Sequence, residues 1–536
     1  MCSLFRCGIF SAVLGVILVI VSTIVSFVVV PDIVDRMIIA EVALENDTEA
    51  MDRFTTIPFP LTFKVRIFNI TNPEEVYAGG VPAVTEMGPY VYKMRHTREV
   101  ESFDGDIIKY RTRNMFEFDI EASFPYTEDD IVTVVNVPYH GVLQMAESLF
   151  PFLMGALSLG LDGVFGVNNG PIMTVRVGDF LFDGIPICKN PGIIGGVACT
   201  QIRAIGANVK NLVEMEDGSL VFTILDYKHD IPSELYEVFR GIDDVSKLGI
   251  INLFNGSKYL DNWVPQQNEN GEAVPGICNM VNGSDSAIYP PFVDRDQSLY
   301  AINLDICRSV QLKYQLDTEY EGIPVARFTV NEWFLDNHEG CFCLNVTGGI
   351  TQENGCLLKG AMELYSCVGA LMVLSYPHFL YADFTYRNGV IGMNPVEDEH
   401  RIFADLDPYT GTVIRGSKRA QFNVFMRPVT SITATQNLRV TLTPIFWVDE
   451  GMSLPDEFSD MIKRRLLGSL NLLSIFIPIL ISLSGVLAVF GVVLIVWAKR
   501  RKKMLKTESG GCKRNRTNPD CFLIFCFSIC LSVCTN

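Results

Sequence analysis

Two long stretches without charge set the terms for everything else in this chain. Gly8 to Val30 holds no Asp, Glu, Lys or Arg, and neither does Leu466 to Ala498. At about 1.5 Å rise per residue the first reaches roughly 34 Å, enough to cross a hydrocarbon core of about 30 Å. Both predict transmembrane helices. A cleaved signal peptide is the competing reading of the first. Its apolar run is longer than a usual signal core, and no small-x-small pattern precedes Pro31.

Basic residues set the expected orientation. Lys499, Arg500, Arg501, Lys502, Lys503 and Lys506 follow the second stretch, and Arg6 precedes the first. Positive residues stay on the cytosolic side, so both termini are expected there, although Lys463, Arg464 and Arg465 flank the opposite end of the second stretch. The expected division is 1–7 cytosolic, 8–30 membrane-spanning, 31–465 extracellular, 466–498 membrane-spanning, and 499–536 a basic cytosolic tail. This describes a two-pass plasma-membrane protein. Overall net charge is −18, and the loop alone holds 33 basic against 59 acidic residues, or −26. So acidic a chain is a poor partner for a phosphate backbone, which argues against nucleic-acid binding.

The loop contains eight cysteines: Cys188, Cys199, Cys278, Cys307, Cys341, Cys343, Cys356 and Cys367. An even number in an oxidising compartment reads as disulfides, and spacing alone leaves the pairing open. A zinc site within Cys341–Cys367 is the alternative, weakened because Cys-x-Cys is not the usual Cys-x-x-Cys knuckle. Five glycosylation sequons, at Asn46, Asn69, Asn255, Asn282 and Asn345, share the loop with them. A sixth, at Asn515, falls in the expected cytosolic tail and should be silent.

An apolar content of 49 % excludes a disordered chain. Alternation in Thr62–Ile67, Gln421–Val424 and Arg439–Leu442 predicts half-buried strands. Asn72-Pro73-Glu74-Glu75 reads as a helix start, with Asn72 as cap. No internal repeat or Gly/Ser linker divides the loop. The fold class is therefore two terminal transmembrane helices flanking one large α+β ectodomain, mainly antiparallel β.

Pro138 to Val167 stands apart, with Glu147 and Asp162 as its only charges. Val142, Leu143, Met145, Ala146, Leu149, Phe152 and Leu153 recur at helical spacing. A buried helix pair is one reading. The other is an apolar helical cap over a lipid entrance, with Leu143, Leu149, Phe150, Phe152 and Leu153 as candidate entry residues. Pro151 interrupts the run, which argues against a third span.

Catalytic signatures are lacking. The six histidines form no His-Glu-x-x-His, and there is no nucleophile elbow, P-loop or dinucleotide fingerprint. Gly160, Gly163 and Gly166 suit close helix packing, and Glu397-Asp398-Glu399 reads as a solvated loop rather than a calcium site. The expectation is a protein with no catalytic residues, no metal and no cofactor.

Taken in order, several short motifs match a known pattern. They are Ile67-Phe68-Asn69-Ile70-Thr71-Asn72-Pro73, Glu86-Met87-Gly88-Pro89-Tyr90, Tyr289-Pro290-Pro291-Phe292 and Asp305-Ile306-Cys307-Arg308-Ser309. Cys341-Phe342-Cys343, Pro377-His378-Phe379 and Pro444-Ile445-Phe446-Trp447 follow. The chain resembles the class B scavenger receptor family over about 8–498, and Gly355–Cys367 looks most like its insect sensory neuron membrane proteins. The resemblance implies a β-barrel-like ectodomain with a distal helical bundle and a hydrophobic tunnel. It also implies disulfides Cys278–Cys341, Cys307–Cys367 and Cys343–Cys356. Cys188 and Cys199 lie outside that set and are taken to pair with each other.

The family's lipoprotein-binding members present lysines on the distal bundle, whereas the stretch here has none. A small hydrophobic ligand, pheromone-like or fatty-acid-like, fits better than a large anionic particle. It would pass through the tunnel to the bilayer or to a neighbouring chemosensory receptor, with a lipid-carrier protein as a further partner. A scavenger receptor for lipids, lipoproteins or carotenoids is the alternative, and an adhesion glycoprotein is the alternative of another class. Cys2, Cys7 and Cys512 are juxtamembrane and open to palmitoylation, while the apolar run Cys521–Cys534 is too short to span.

Overall fold

The structure is a computed structural model that describes residues 4–268, 270–337 and 342–514. The expected sites at Cys2, Cys341, Asn515 and the Cys521–Cys534 run lie outside them. The chain divides into two units, one of Met1–Ile38 with Glu457–Asn536 and one of Ile39–Asp456.

The first unit is a helix pair. One helix runs from Leu4 to Val42, through a π turn at Val25–Val29 just before Pro31. Gly468–Arg514 is the other. Both are long and apolar enough to cross a membrane, and their side chains are mostly exposed. Small residues let the backbones touch. A Cβ on Gly15 would sit 2.3 Å from the Ala488 nitrogen, and one on Gly491 would sit 2.2 Å from the Ala12 nitrogen. Close approach of this kind replaces the hydrophobic drive that lipid cannot supply.

The second unit is organised by one large antiparallel sheet. Its strands are β1 (Leu61–Ile70), β2 (Val84–Asp104), β3 (Ile107–Phe118), β4 (Tyr236–Phe239) and β5 (Ile251–Phe254). After these come β6 (Leu299–Asn303), β7 (Arg308–Tyr320), β8 (Ile323–Val330), β9 (Ile402–Leu406), β10 (Val413–Met426) and β11 (Thr441–Ser453). Their order across the sheet is β5-β4-β3-β2-β1-β11-β10-β9-β8-β7-β6. Local chemistry fixes the tight turns. The two residues between β7 and β8, Glu321 and Gly322, both take positive φ, as a two-residue hairpin loop requires.

The barrel-like closure expected from the resemblance is not formed: among the described residues β5 and β6 do not pair. The irregular stretch Gly283–Ser284 lies between them instead. Gly283 accepts a hydrogen bond from Ile251 on one edge, while Ser284 exchanges bonds with Tyr300 and Ile302 on the other. Edge groups are thus satisfied without a closing strand.

Two local expectations also change. Asn72 precedes a short helix, Pro73–Tyr77, but its side chain makes no cap bond; its amide oxygen accepts from Ala83 instead. Arg439 and Val440 lie outside β11, which begins at Thr441.

The Pro138–Val167 segment folds as α1 (Val137–Leu149) and α2 (Met154–Phe165), broken by a 3-10 turn at Pro151–Leu153. A third helix, α3 (Gly192–Gly206), packs on α2 where Gly160 and Gly163 meet Gly195 and Pro191.

Candidate functional site

On β10 the side chains alternate between two environments. Ser417, Gln421 and Asn423 are buried on one face, whereas Lys418, Ala420 and Phe422 on the other are each partly accessible. Their antiparallel partners on β11 are Glu450, Val448 and Phe446. The same face of β1 and β2 carries Phe63 and Tyr92, both buried. Charged and apolar groups therefore share the inner face of the sheet.

Charge is concentrated at one end of this stripe. Lys418 Nζ lies 2.8 Å from Glu450 Oε1, and Lys228 Nζ lies 2.8 Å from Asp305 Oδ2. Lys228 also sits 5.7 Å over the Phe63 ring. Glu450 is deep among protein atoms, yet 22 % of its side chain is accessible, against 43 % for Lys418 and 14 % for Lys228. Burial pushes the Glu450 carboxyl up, but Lys418 and Lys228 outweigh it and hold it at about 2. Nearby His96 is pushed down to about 4 by burial and by Arg98, so it is neutral.

The other end of the stripe runs under the helices. Val424 continues the β10 face and joins Val137, His140, Gly141 and Gln144 of α1 around a small recess of ≈ 20 Å³, room for about one water. His140 Nε2 donates to the Pro171 carbonyl at 3.1 Å, while Nδ1 has no protein partner among the described residues. Burial holds His140 at about 4, again neutral. From Lys418 to Val424 the strand covers about 20 Å, comparable to an extended long acyl chain.

Of the five expected entry residues, the structure splits one from the rest. Leu143 is fully buried in the core. Phe150 is half-buried, and Leu149, Phe152 and Leu153 are exposed, Phe152 by 80 %. Leu159 on α2 and Ile193, Ile194 and Val197 on α3 extend the exposed apolar surface. The nearest acid on α1, Glu147, is neutralised by Arg427 at 2.6 Å.

The opposite face of the sheet is closed by a polar cluster. Glu86 accepts from His378 Nε2 at 2.7 Å and from Trp447 Nε1 at 2.8 Å, and Arg66 is 3.2 Å away. A second buried set joins the β2–β3 hairpin to the irregular stretch after Gly283. Asp285 Oδ2 accepts from Arg98 Nη2 at 2.6 Å and from the Tyr110 hydroxyl at 2.9 Å. Sequence reasoning missed both sets and the Lys418–Glu450 pair. One signal for that pair was available: Glu450 breaks the apolar parity of Phe446 and Val448 on its own strand.

Disulfides join Cys188 to Cys199, Cys307 to Cys367, and Cys343 to Cys356. These sulfurs are not thiolates available to zinc. Cys278 is also disulfide-bonded. Among the described residues no group of three or more His, Cys, Asp or Glu is placed to hold a metal. Asn46, Asn255 and Asn345 are exposed, while Asn69 and Asn282 are half-buried.

Residues 13–495 match the model of the CD36 family. The chain belongs to the CD36 family. It is 33 % identical over 518 residues to sensory neuron membrane protein 2 of Drosophila melanogaster, covering 86 % of this chain and 92 % of that protein. Against sensory neuron membrane protein 2 of Anopheles gambiae the identity is 32 %, covering 90 % and 92 % of the two chains. Sensory neuron membrane protein 1 of Pediculus humanus subsp. corporis is 30 % identical, covering 90 % and 91 %. As a CD36 family member the protein is a membrane receptor of lipid-related function and not an enzyme.

Proposed function

We propose that this protein captures small hydrophobic ligands, pheromone-like or fatty-acid-like, at the helical cap and passes them along the inner face of the sheet to the bilayer or to a neighbouring chemosensory receptor. The observation that carries the reading is the β10–β11 stripe. Lys418, Ala420, Phe422, Val448 and Glu450 along it stay partly accessible, as groups bordering an internal space do, while Phe446 and Val424 are buried. One end of the stripe lies under α1, and exposed Phe152, Leu153 and Leu159 on the cap form an apolar landing surface.

Physical cost explains why no reaction is needed. Each methylene costs about 0.8 kcal/mol to hold in water, and a walled apolar path removes most of that penalty. Transfer then runs downhill into the membrane. The same reading places both termini in the cytosol, with 8–30 and 466–498 as spans and 31–465 outside. It places glycans on the five loop sequons and pairs Cys278 with Cys341. Lysine-free α1 and α2 favour a small ligand over large anionic particles.

The test uses the purified full chain in detergent, with N-phenyl-1-naphthylamine as fluorescent probe. Hexadecanal, hexadecyl acetate, hexadecanoic acid or cholesterol should displace it. Displacement by none of the four removes the proposal.

A further inference from the structure

The second apolar helix does not stop where its apolar stretch ends. Gly468–Arg514 runs on as one helix past Ala498, through Lys499, Arg500, Arg501, Lys502, Lys503 and Lys506. No acidic residue lies between Asp460 and Glu508, so the neighbouring sequence does not balance this charge. Lys499, Arg500, Lys502 and Lys503 are exposed.

Helical register sorts these cations. At about 100° per residue, positions 499, 502, 503 and 506 fall within about 100° of arc, and positions 500 and 501 fall outside it. Every lysine of the cluster is therefore on one side of the helix. Arg501 instead sits 5.9 Å over the Trp497 ring. The lysine side continues the face that packs on the first helix. A Cβ on Gly8 would meet Ile495 at 2.9 Å, and Lys502 follows Ile495 by about two turns on the same side. The first helix is described from Leu4, about one turn from Gly8, so positions 502 to 506 lie beyond its described end.

A topology signal depends on how many cations follow a span, not on which side of the helix they occupy. A one-sided stripe does more. Positions 499 to 506 cover about 10 Å of rise, and the headgroup layer beside the hydrocarbon is roughly 5–7 Å deep. The stripe thus crosses that layer. Lipids with a single charge surround a helix evenly and gain little from a stripe. Several ammonium groups within about 10 Å can instead converge on one headgroup that carries several phosphates.

We propose that the lysine face of this helix binds the headgroup of a polyphosphorylated inositol lipid. The site depends on the orientation given under Proposed function, which puts this end of the chain at the anionic cytosolic leaflet. It does not depend on what the ectodomain captures.

The test titrates the purified full chain in detergent with a fluorescent phosphatidylinositol bisphosphate, read by polarisation at physiological salt. Unlabelled dioctanoyl phosphatidylinositol bisphosphate, phosphatidylserine and phosphatidylcholine, and free inositol trisphosphate, then compete for the site. The bisphosphate should compete at a concentration at least about tenfold lower than each of the other three. Two double variants remove equal charge from different sides. Lys499→Gln with Lys502→Gln should weaken bisphosphate binding by about tenfold or more, and Arg500→Gln with Arg501→Gln by less than about threefold. Each keeps four of the six cations, so the orientation signal survives. Competition by phosphatidylserine, phosphatidylcholine or inositol trisphosphate equal to that of the bisphosphate overturns the site, as does an equal loss in the two variants. If a variant fails to insert, the native ranking alone decides. A C-terminal epitope reached by antibody on unpermeabilised cells removes the orientation instead, whatever the lipid result.

Discussion

Replacing Ala420 by Trp separates an open inner face from a filled core. Ala420 lies midway along the β10 stripe, opposite Val448 and between Lys418 and Phe422, and it is only partly buried. In a close-packed interior, adding so large a ring forces neighbours off their rotamers and costs about 1–3 kcal/mol or more. On a face that borders free space, the ring lies against Phe422 and Val448, and stability should stay within about 1 kcal/mol of the native value. Uptake should respond in the opposite sense. Denying entry to even four methylenes forfeits roughly 3 kcal/mol, about a hundredfold in affinity or more. Thermal melting of the purified full chain reads the first quantity, and probe displacement by hexadecanal reads the second. The expected pair of results is an unchanged melting temperature with uptake lost. A melting temperature several degrees lower, with uptake intact, would refute the reasoning: the interior at Ala420 would be solid and the ligand path elsewhere.

Three further outcomes follow from buried polar groups. Glu363 is buried, and its two oxygens accept the backbone N–H groups of Leu344, Asn345, Val346 and Thr347 at 2.7–3.0 Å. Glu363→Gln turns one oxygen into a donor facing two donors, so denaturant midpoints should report a loss of about 2–5 kcal/mol; a loss below 1 kcal/mol would contradict the cradle. Asp285→Asn strands the buried Arg98 guanidinium and should cost about 3–5 kcal/mol, partly recovered by adding Arg98→Met. If the double variant is as unstable as the sum of the two single ones, the pair is not coupled. His140 and His400 are both buried and held at about 4, His140 mainly by burial and His400 by burial and then His378. Their folded pKa lies below the unfolded value of about 6.5, so their contribution is full above pH 6.5 and is lost as pH falls toward 4. Unfolding free energies from urea titrations should therefore fall between pH 7 and pH 5 by about 2 kcal/mol per histidine, the similarly lowered His96 included, and His140→Gln should remove roughly a third of that slope.

Much of the architecture is legible along the chain because it is local. Membrane insertion depends on a sum over some twenty neighbouring side chains, so Gly8–Val30 and Leu466–Ala498 announce themselves without any partner. Strand alternation is equally local, and Thr62–Ile67 and Gln421–Val424 lie within β1 and β10 as read. Arg439–Leu442 is the instructive exception, because alternation cannot say where pairing begins. The exposed positions Leu149, Phe152 and Leu153 and the buried Leu143 have the same apolar chemistry. Only the packing of α1 against β10 tells them apart.

Residues distant along the chain but adjacent across the sheet settle the rest. Arg98 meets Asp285 across 187 positions, and Glu86 meets Trp447 across 361. No window of sequence contains both partners. Whether Glu450 is a solvated surface acid or one of a balanced inner set depends on Lys418 and Lys228, brought to it by strand register and by the loop before β4. The sequence by itself determined two apolar anchors, a cysteine-rich acidic loop and strands of the right period, because these depend on near neighbours. Tertiary structure alone decided which side chains of those strands are buried and which charges pair, because burial and electrostatic compensation are properties of neighbours in space.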